Sequence, residues 1–509
     1  MKEFLRGLGR KITGRKGIGN TMTVVIIVAV VLLNILAYTV TNAFALYLYS
    51  PSVDDLSISG NTDALFAKAI ERQRKVKITF CYPEDKLEKH DTGSYVLETA
   101  RAFKEKYPGF IELKFVSLLT KMDENGVIFD FDKYLADGKY SFSQSSVIFE
   151  TGEGENWSYR VLTDNSTAAG FVNFFTLDSS ANVVAYNGEE VMAAMISWVL
   201  ADEHPVAYFT QNHGETADVA MTNLLTCAGY YVEVKDLRKE EIPSDAGMVI
   251  ISNPTKDFEK SMNPNVRGEI EKIEDYLKSG GKLYVTLDPY VKKLDNLEQL
   301  IKNWGITISG GKNTDGVFVR NIVKENANAI TPDGYTFVAS LADEGLASEI
   351  KEKVTAYSDD GILVREAARL ELEASLGAKP VLIASNTAAV YAGGEQIDGE
   401  GGYAIAAYSR KTEESGKEST VFVIPTAYVT ASDALLSENY ANKDFLYSVF
   451  EALFDSSAAP RGCNAVTYKT QILENLTMGR ARTYTALILA IPVALAVVGA
   501  VIISRRKNR

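Results

Sequence analysis

The chain has 509 residues and a formal net charge of −13, with 46% hydrophobic and 23% charged residues. This ordinary globular composition excludes a many-spanning transporter and a disordered chain, and it leaves room for several cored domains. The charge is uneven: the first 20 residues hold six basic groups and one acid, the last six hold four basic groups, and the remainder carries an excess of 22 acids, which repels phosphate and excludes a nucleic-acid partner.

In chain order, a basic tail (1–21) leads into an uncharged apolar stretch, residues 22–49. It is long enough to cross about 30 Å of hydrocarbon as a helix. Asn34 and Asn42 interrupt it and are the candidate contacts to a partner helix in the membrane, where an amide finds a hydrogen bond; the competing reading is that a long span tolerates a single amide. A second uncharged stretch, 484–503, precedes the basic tail 504–509. Basic residues favour the cytoplasmic side, so a two-pass cell-membrane protein is expected, with both termini cytoplasmic and the main body extracytoplasmic. Ala43-Phe44-Ala45 has the form of a signal-peptidase site. The apolar run before it exceeds the usual signal-peptide core, so the segment is read as an anchor.

The body divides into two α/β domains. In the first, 50–202, the pattern predicts helices over 57–70, 92–107 and 189–200, and strands over 76–80, 111–116, 127–131, 146–150 and 159–162. In the second, 203–460, it predicts strands over 206–210, 231–235, 247–252, 282–287, 379–384, 403–408 and 420–425. Helices are predicted after residue 215 and over 266–279, 294–304, 342–353 and 442–453. Strands alternating with helices imply a mostly parallel, doubly wound sheet, preceded here by the smaller α/β domain. Residues 310–375 resist this parsing, and 461–483 read as a linker to the second anchor.

Three scattered cysteines and three histidines form no disulfide framework, CxxC pair or metal-ligand spacing, so no metal and no cofactor is expected. The glycine-rich stretch 9–16 lacks the Lys and Ser/Thr of a phosphate-binding loop, which excludes intrinsic ATPase activity. The turn after 247–252, Asn253-Pro254-Thr255, offers no nucleophile beside a recognisable base, so no catalytic residue is assigned. Ligands of open α/β sheets bind outside the carboxyl ends of the strands. His213, Glu215, Asn253 and Asp288 follow predicted strands and are the candidate ligand-binding residues. The competing reading makes them turn residues, with Glu215 capping the next helix and Asp288 preceding Pro289.

These features carry a resemblance. The first anchor is followed by SPSVDDLS (50–57), and Asn187-Gly188-Glu189-Glu190 opens a predicted helix. Then come Val206-Ala207-Tyr208-Phe209-Thr210-Gln211-Asn212-His213-Gly214-Glu215, the stretch Asp245 to Ile251, Asn253-Pro254, the stretch Tyr276 to Leu283, Asp288-Pro289, and a second anchor with an Arg-Arg-Lys tail. In this order the chain resembles the GldG family, auxiliary components of ABC-type transport systems first associated with gliding motility. Before His213 this chain has Thr210-Gln211-Asn212 where the family has Thr-Gly. The resemblance implies a glutamine-amidotransferase-like domain without its catalytic cysteine. It also implies a non-enzymatic role beside a separate ABC permease and ATPase, and a possible carbohydrate ligand. The rival expectation is a carbohydrate or cell-wall ligand-binding sensor that works without a transporter.

Overall fold

The computed structural model describes residues 56–467 apart from 136–139, 164–170, 178–182, 216–218, 262, 264–265, 357–360, 415, 427, 436–439 and 455–458. Both apolar stretches, with Asn34 and Asn42, lie outside the described residues, and no described helix is long and apolar enough to cross a membrane.

The first lobe runs α1 (Thr62–Glu71), β1 (Val76–Phe80), α2 (Gly93–Lys106), β2 (Ile111–Ser117), β3 (Val147–Thr151), β4 (Ser158–Leu162) and α3 (Gly188–Leu200). β1 and β2 pair in parallel across α2, and β3 adds to the other side of β1 in antiparallel register, Val76 facing Thr151. The apolar stripe of α2 (Val96, Leu97, Ala100, Phe103) packs with Phe66 of α1 and with α3 into one core. A side chain such as Leu97, fully removed from water, contributes about 1.5–3 kcal/mol.

The predicted strand 127–131 is not formed; only an isolated bridge joins Met122 to Ile128. The Asp123 carboxylate takes the N–H groups of Asn125 and Val127 at 3.0 and 2.9 Å and fixes a tight turn instead. Phe129 and Phe131 still bury, but Val127 and Ile128 are exposed, so the apolar run does not mark a buried strand.

The second lobe runs β5 (Val206–Thr210), α4 (Val219–Cys227), β6 (Tyr231–Lys235), β7 (Ala246–Ser252), α5 (Glu269–Lys278), β8 (Lys282–Thr286) and α6 (Asp295–Lys302). It continues through β9 (Thr336–Leu341), α7 (Leu346–Thr355), β10 (Ile362–Arg365), β11 (Ala378–Ile383), β12 (Ala404–Thr412), β13 (Glu418–Ile424) and α8 (Asn442–Phe454). Its main sheet has the order β10-β9-β11-β12-β13-β8-β7-β5-β6. The run from β13 to β6 is parallel, and the run from β12 to β10 is antiparallel. The expectation of a mostly parallel sheet is therefore corrected to one parallel only in half its width. Two strands of the antiparallel half, β9 and β10, come from the region 310–375 that the sequence left unparsed, while β11 and β12 were foreseen as strands but not their antiparallel direction.

Both faces of the parallel half are covered. Met248 and Ile250 meet α4 and α8 on one side, while Val249 and Ile251 meet α5 and α6 on the other. Burial on two faces is why β7 reads as an unbroken apolar run. Numbered along the chain, the five parallel strands lie in the order 2-1-3-4-5, so the direction of strand addition reverses between β5 and β7. That reversal is where an open sheet leaves a crevice at its carboxyl edge.

The predicted linker after residue 461 begins as structure. Val466–Thr467 pairs with Val183–Tyr186 of the first lobe, opposite the short strand Phe175–Leu177. The lobes are also joined by Glu190 at the start of α3, which accepts from Lys443 Nζ at 2.9 Å and from Tyr447 OH at 2.8 Å, both on α8.

Candidate functional site

The crevice between β5 and β7 is closed by the loops that follow them. After β5 the chain reverses through two left-handed residues, Asn212 (φ +80°) and Gly214 (φ +77°); after β7 it does so through Asn253 (φ +49°). The His213 carbonyl accepts the N–H groups of Thr255 and Lys256, each at 2.8 Å, so the two loops are sewn together. A Cβ at Gly214 would fall 2.0 Å from Thr255 Oγ1, and the left-handed backbone disfavours any L side chain there. Gly214→Ala is therefore expected to lower stability by about 1–3 kcal/mol through this seam. A denaturation midpoint equal to that of the unaltered chain would contradict it.

His213 sits within the seam, 3% exposed. Its Nδ1 meets Glu215 Oε1 at 3.0 Å and its Nε2 meets Glu269 Oε2 at 2.9 Å, while Phe258 stacks on the ring at 3.9 Å. Burial opposes the charged ring, but the hydrogen bonds and the charges of Glu215 and Glu269 outweigh it, and His213 is held up at about 9. Burial would likewise raise Glu215. Donation from His213, from backbone N–H groups and from Thr210 Oγ1 at 2.9 Å instead holds it below the usual carboxylate range. Glu269 belongs to the first turn of α5, where the helix dipole favours a carboxylate. Its Oε2 also accepts Glu259 N–H at 2.9 Å, and its buried Oε1 has no partner among the described residues.

The cluster is thus an imidazolium between two carboxylates, with both ring nitrogens engaged and one ring face covered. No group of His, Cys, Asp or Glu among the described residues is arranged to hold a metal ion. The expected capping by Glu215 falls on residues 216–218, outside the described residues.

Asn253 and Asp288 are not part of this cluster. Asn253 donates its N–H to Thr286 O at 3.1 Å, and its buried Oδ1 has no partner among the described residues. Asp288 accepts the N–H of Tyr290 at 2.8 Å, the turn role expected before Pro289. Around it the sheet edge carries exposed aromatic rings, Tyr290 at 61% and Tyr428 at 39% exposure. Tyr290 OH donates to Glu366 Oε1 at 3.3 Å, and Glu366 is itself left-handed (φ +50°).

The sequence reading missed Glu269, Phe258 and Tyr290. Glu269 had a signal: it stands four residues before Ile273, on the buried stripe of an amphipathic helix, where an unpaired acid is costly.

No family model matches this sequence, and no curated protein matches it. Among solved structures, the mmIFT52 N-terminal domain is similar at 16% identity and a TM-score of 0.35, over 49% of this chain and 96% of that one. PurLQS from Thermotoga maritima is similar at 13% identity and a TM-score of 0.28, over 49% and 100%. The cytoplasmic protein STM3548 from Salmonella typhimurium is similar at 9% identity and a TM-score of 0.28, over 49% and 98%. Likenesses this distant carry no functional argument.

Proposed function

We propose that this chain is a non-catalytic, membrane-anchored auxiliary subunit of an ABC transport system, acting outside the cell membrane beside a separate permease and ATPase. The apolar stretches 22–49 and 484–503 and the GldG-like order of motifs support the reading. The glutamine-amidotransferase-like character of the second lobe belongs to the same proposal, supported by the parallel half-sheet and by a crevice filled with a His–carboxylate cluster.

The observation that carries the reading furthest is the joining of the two ends of the body. Glu189 Oε1 accepts Ser59 N–H at 2.8 Å and Ser59 Oγ at 2.6 Å, while its Oε2 accepts Asn464 N–H at 2.7 Å. Asn464 Nδ2 donates to Ser57 O at 2.7 Å, and Asn61 Nδ2 to Gly462 O at 2.9 Å. The segments leading to both apolar stretches therefore start from one place, which suits a body held by paired anchors. Affinity purification of the full chain from native membranes in mild detergent should recover a permease and an ATPase. Recovery of neither would overturn the proposal.

A second reading, a carbohydrate or cell-wall ligand-binding protein without a transporter, draws on the exposed Tyr290 and Tyr428 beside Asp288 and Glu366. A thermal shift of the full chain with soluble sugars, abolished by Tyr290→Ala, would favour it.

A further inference from the structure

In a body this acidic, the connection from α1 to β1 stands out: it reads Glu71-Arg72-Gln73-Arg74-Lys75-Val76-Lys77. Lys68 and Arg72 are four residues apart and both exposed, so they share one side of the end of α1. The turn is fixed by Gln73 N–H to Ile70 O at 2.9 Å and Arg74 N–H to Ala69 O at 3.0 Å. Arg74 Nη1 donates to the Leu200 carbonyl at 2.8 Å, which orients the guanidinium without neutralising it.

Two neighbouring hollows meet at Arg74. One, of about 580 Å³, runs beside α1 past Asn61, Lys68 and Arg72; the other, of about 710 Å³, holds Lys75, Lys77 and Lys133. Other cations lining these hollows are committed: Lys77 and Lys133 to Glu150 at 3.4 and 3.2 Å, and Arg461 to Glu451 at 2.9 Å. Lys68, Arg72, Arg74 and Lys75 are in no ion pair among the described residues.

The position of these four cations gives them a meaning. The first hollow opens at Asn61, which is bonded to Gly462 where the two ends of the body are sewn together. Lys68 stands in the second half of α1, and Arg72, Arg74 and Lys75 follow its ten residues, a helical length of about 15 Å from that point. Ser57 follows the last residue of the first apolar stretch, Tyr49, by eight residues, a reach of at most about 28 Å. The chain between the described body and that stretch is therefore short.

We propose that the turn of Lys68, Arg72, Arg74 and Lys75 rests on the membrane surface and takes the phosphodiester groups of anionic phospholipids. The inference depends on the anchoring reading given above. The rest of the acidic body is repelled by the same lipids, so the turn decides which face meets the bilayer. The attraction acts only within a Debye length, about 8–10 Å at ordinary salt, so contact is required.

The test uses the full chain in phosphatidylcholine vesicles with or without phosphatidylglycerol. A fluorophore is placed at Ile70→Cys, an exposed site in the last turn of α1, and a headgroup-borne quencher reports contact. Quenching should be at least about twofold stronger with the anionic lipid and should fall as salt rises. The triple variant Lys68→Glu, Arg72→Glu, Lys75→Glu should lose the difference while remaining in the carbonate-washed membrane pellet. Equal quenching in both lipids, or quenching indifferent to the triple variant, would overturn the proposal. If inorganic phosphate at constant ionic strength removes the quenching, the turn is a soluble-anion site and the lipid assignment is overturned. If carbonate releases the unaltered chain, the anchoring reading fails and takes this one with it.

Discussion

Replacing His213 with alanine is expected to lower stability by about 3–5 kcal/mol, because two buried carboxylates would lose the cation between them. Glu215 and Glu269 are 7% and 1% exposed at their side chains, so water cannot take over the role. The pH dependence distinguishes this from loss of packing against Phe258. The ring gains its proton's partners on folding, so its folded value lies above its unfolded one. Its contribution is fully present below the unfolded value near ~6.5 and is lost as pH rises through about 9. Denaturation midpoints of the unaltered chain should fall across that window, and those of His213→Gln should lack that part of the fall. Glu269→Gln keeps an oxygen for His213 and for Glu259 N–H while removing one charge, so it should move the fall to lower pH. Identical profiles for all three chains would defeat the account.

Glu298→Ala is expected to be similarly damaging, at about 3–5 kcal/mol. Arg320 meets Glu298 through two hydrogen bonds, Nη1–Oε2 at 2.8 Å and Nη2–Oε1 at 2.6 Å, with side chains 1% and 9% exposed. A guanidinium cannot shed its proton to escape burial, so the truncation strands a charge between α6 and the strand Phe318–Lys324. Glu298 also holds the start of α6 by accepting Leu294 N–H at 2.7 Å. Paired replacement by apolar residues, Arg320→Met with Glu298→Leu, should recover most of the loss, since a well-packed apolar pair avoids the desolvation cost. If the double variant is as unstable as the single one, the damage lies in the α6 start and not in the stranded charge.

The legible regions of the fold were those with local causes. β5, β7 and β8 are apolar on both faces and stand between helices with clear stripes, so the sequence pattern located them to within a residue or two. α5 announced itself through Ile270, Ile273 and Leu277, and its end through Gly280. The strands of the region 310–375 did not, because they owe their existence to pairing with partners distant in sequence. Asn321 to Lys324 pairs with Ala389 to Ala392, and Thr336 to Ala339 with Ile362 to Arg365.

The candidate site divides in the same way. His213 and Glu215 were visible as a loop after a strand, but the closing partner Glu269 is 56 residues away. No periodicity reports such a pairing. Glu189 was visible only as a member of an acidic helix start, because its partners are Ser59 and Asn464, 130 and 275 residues distant.

That last set of contacts has a mechanical consequence. A pull that separates the chain at Ser57 from the chain at Asn464 is borne first by the bonds of Glu189, Asn61 and Asn464 and by the short pairing of Val466–Thr467 with Val183–Tyr186. These can give way in succession like a zip, before load reaches either sheet. The body would therefore yield first at its hem, leaving both lobes folded while its two ends move apart.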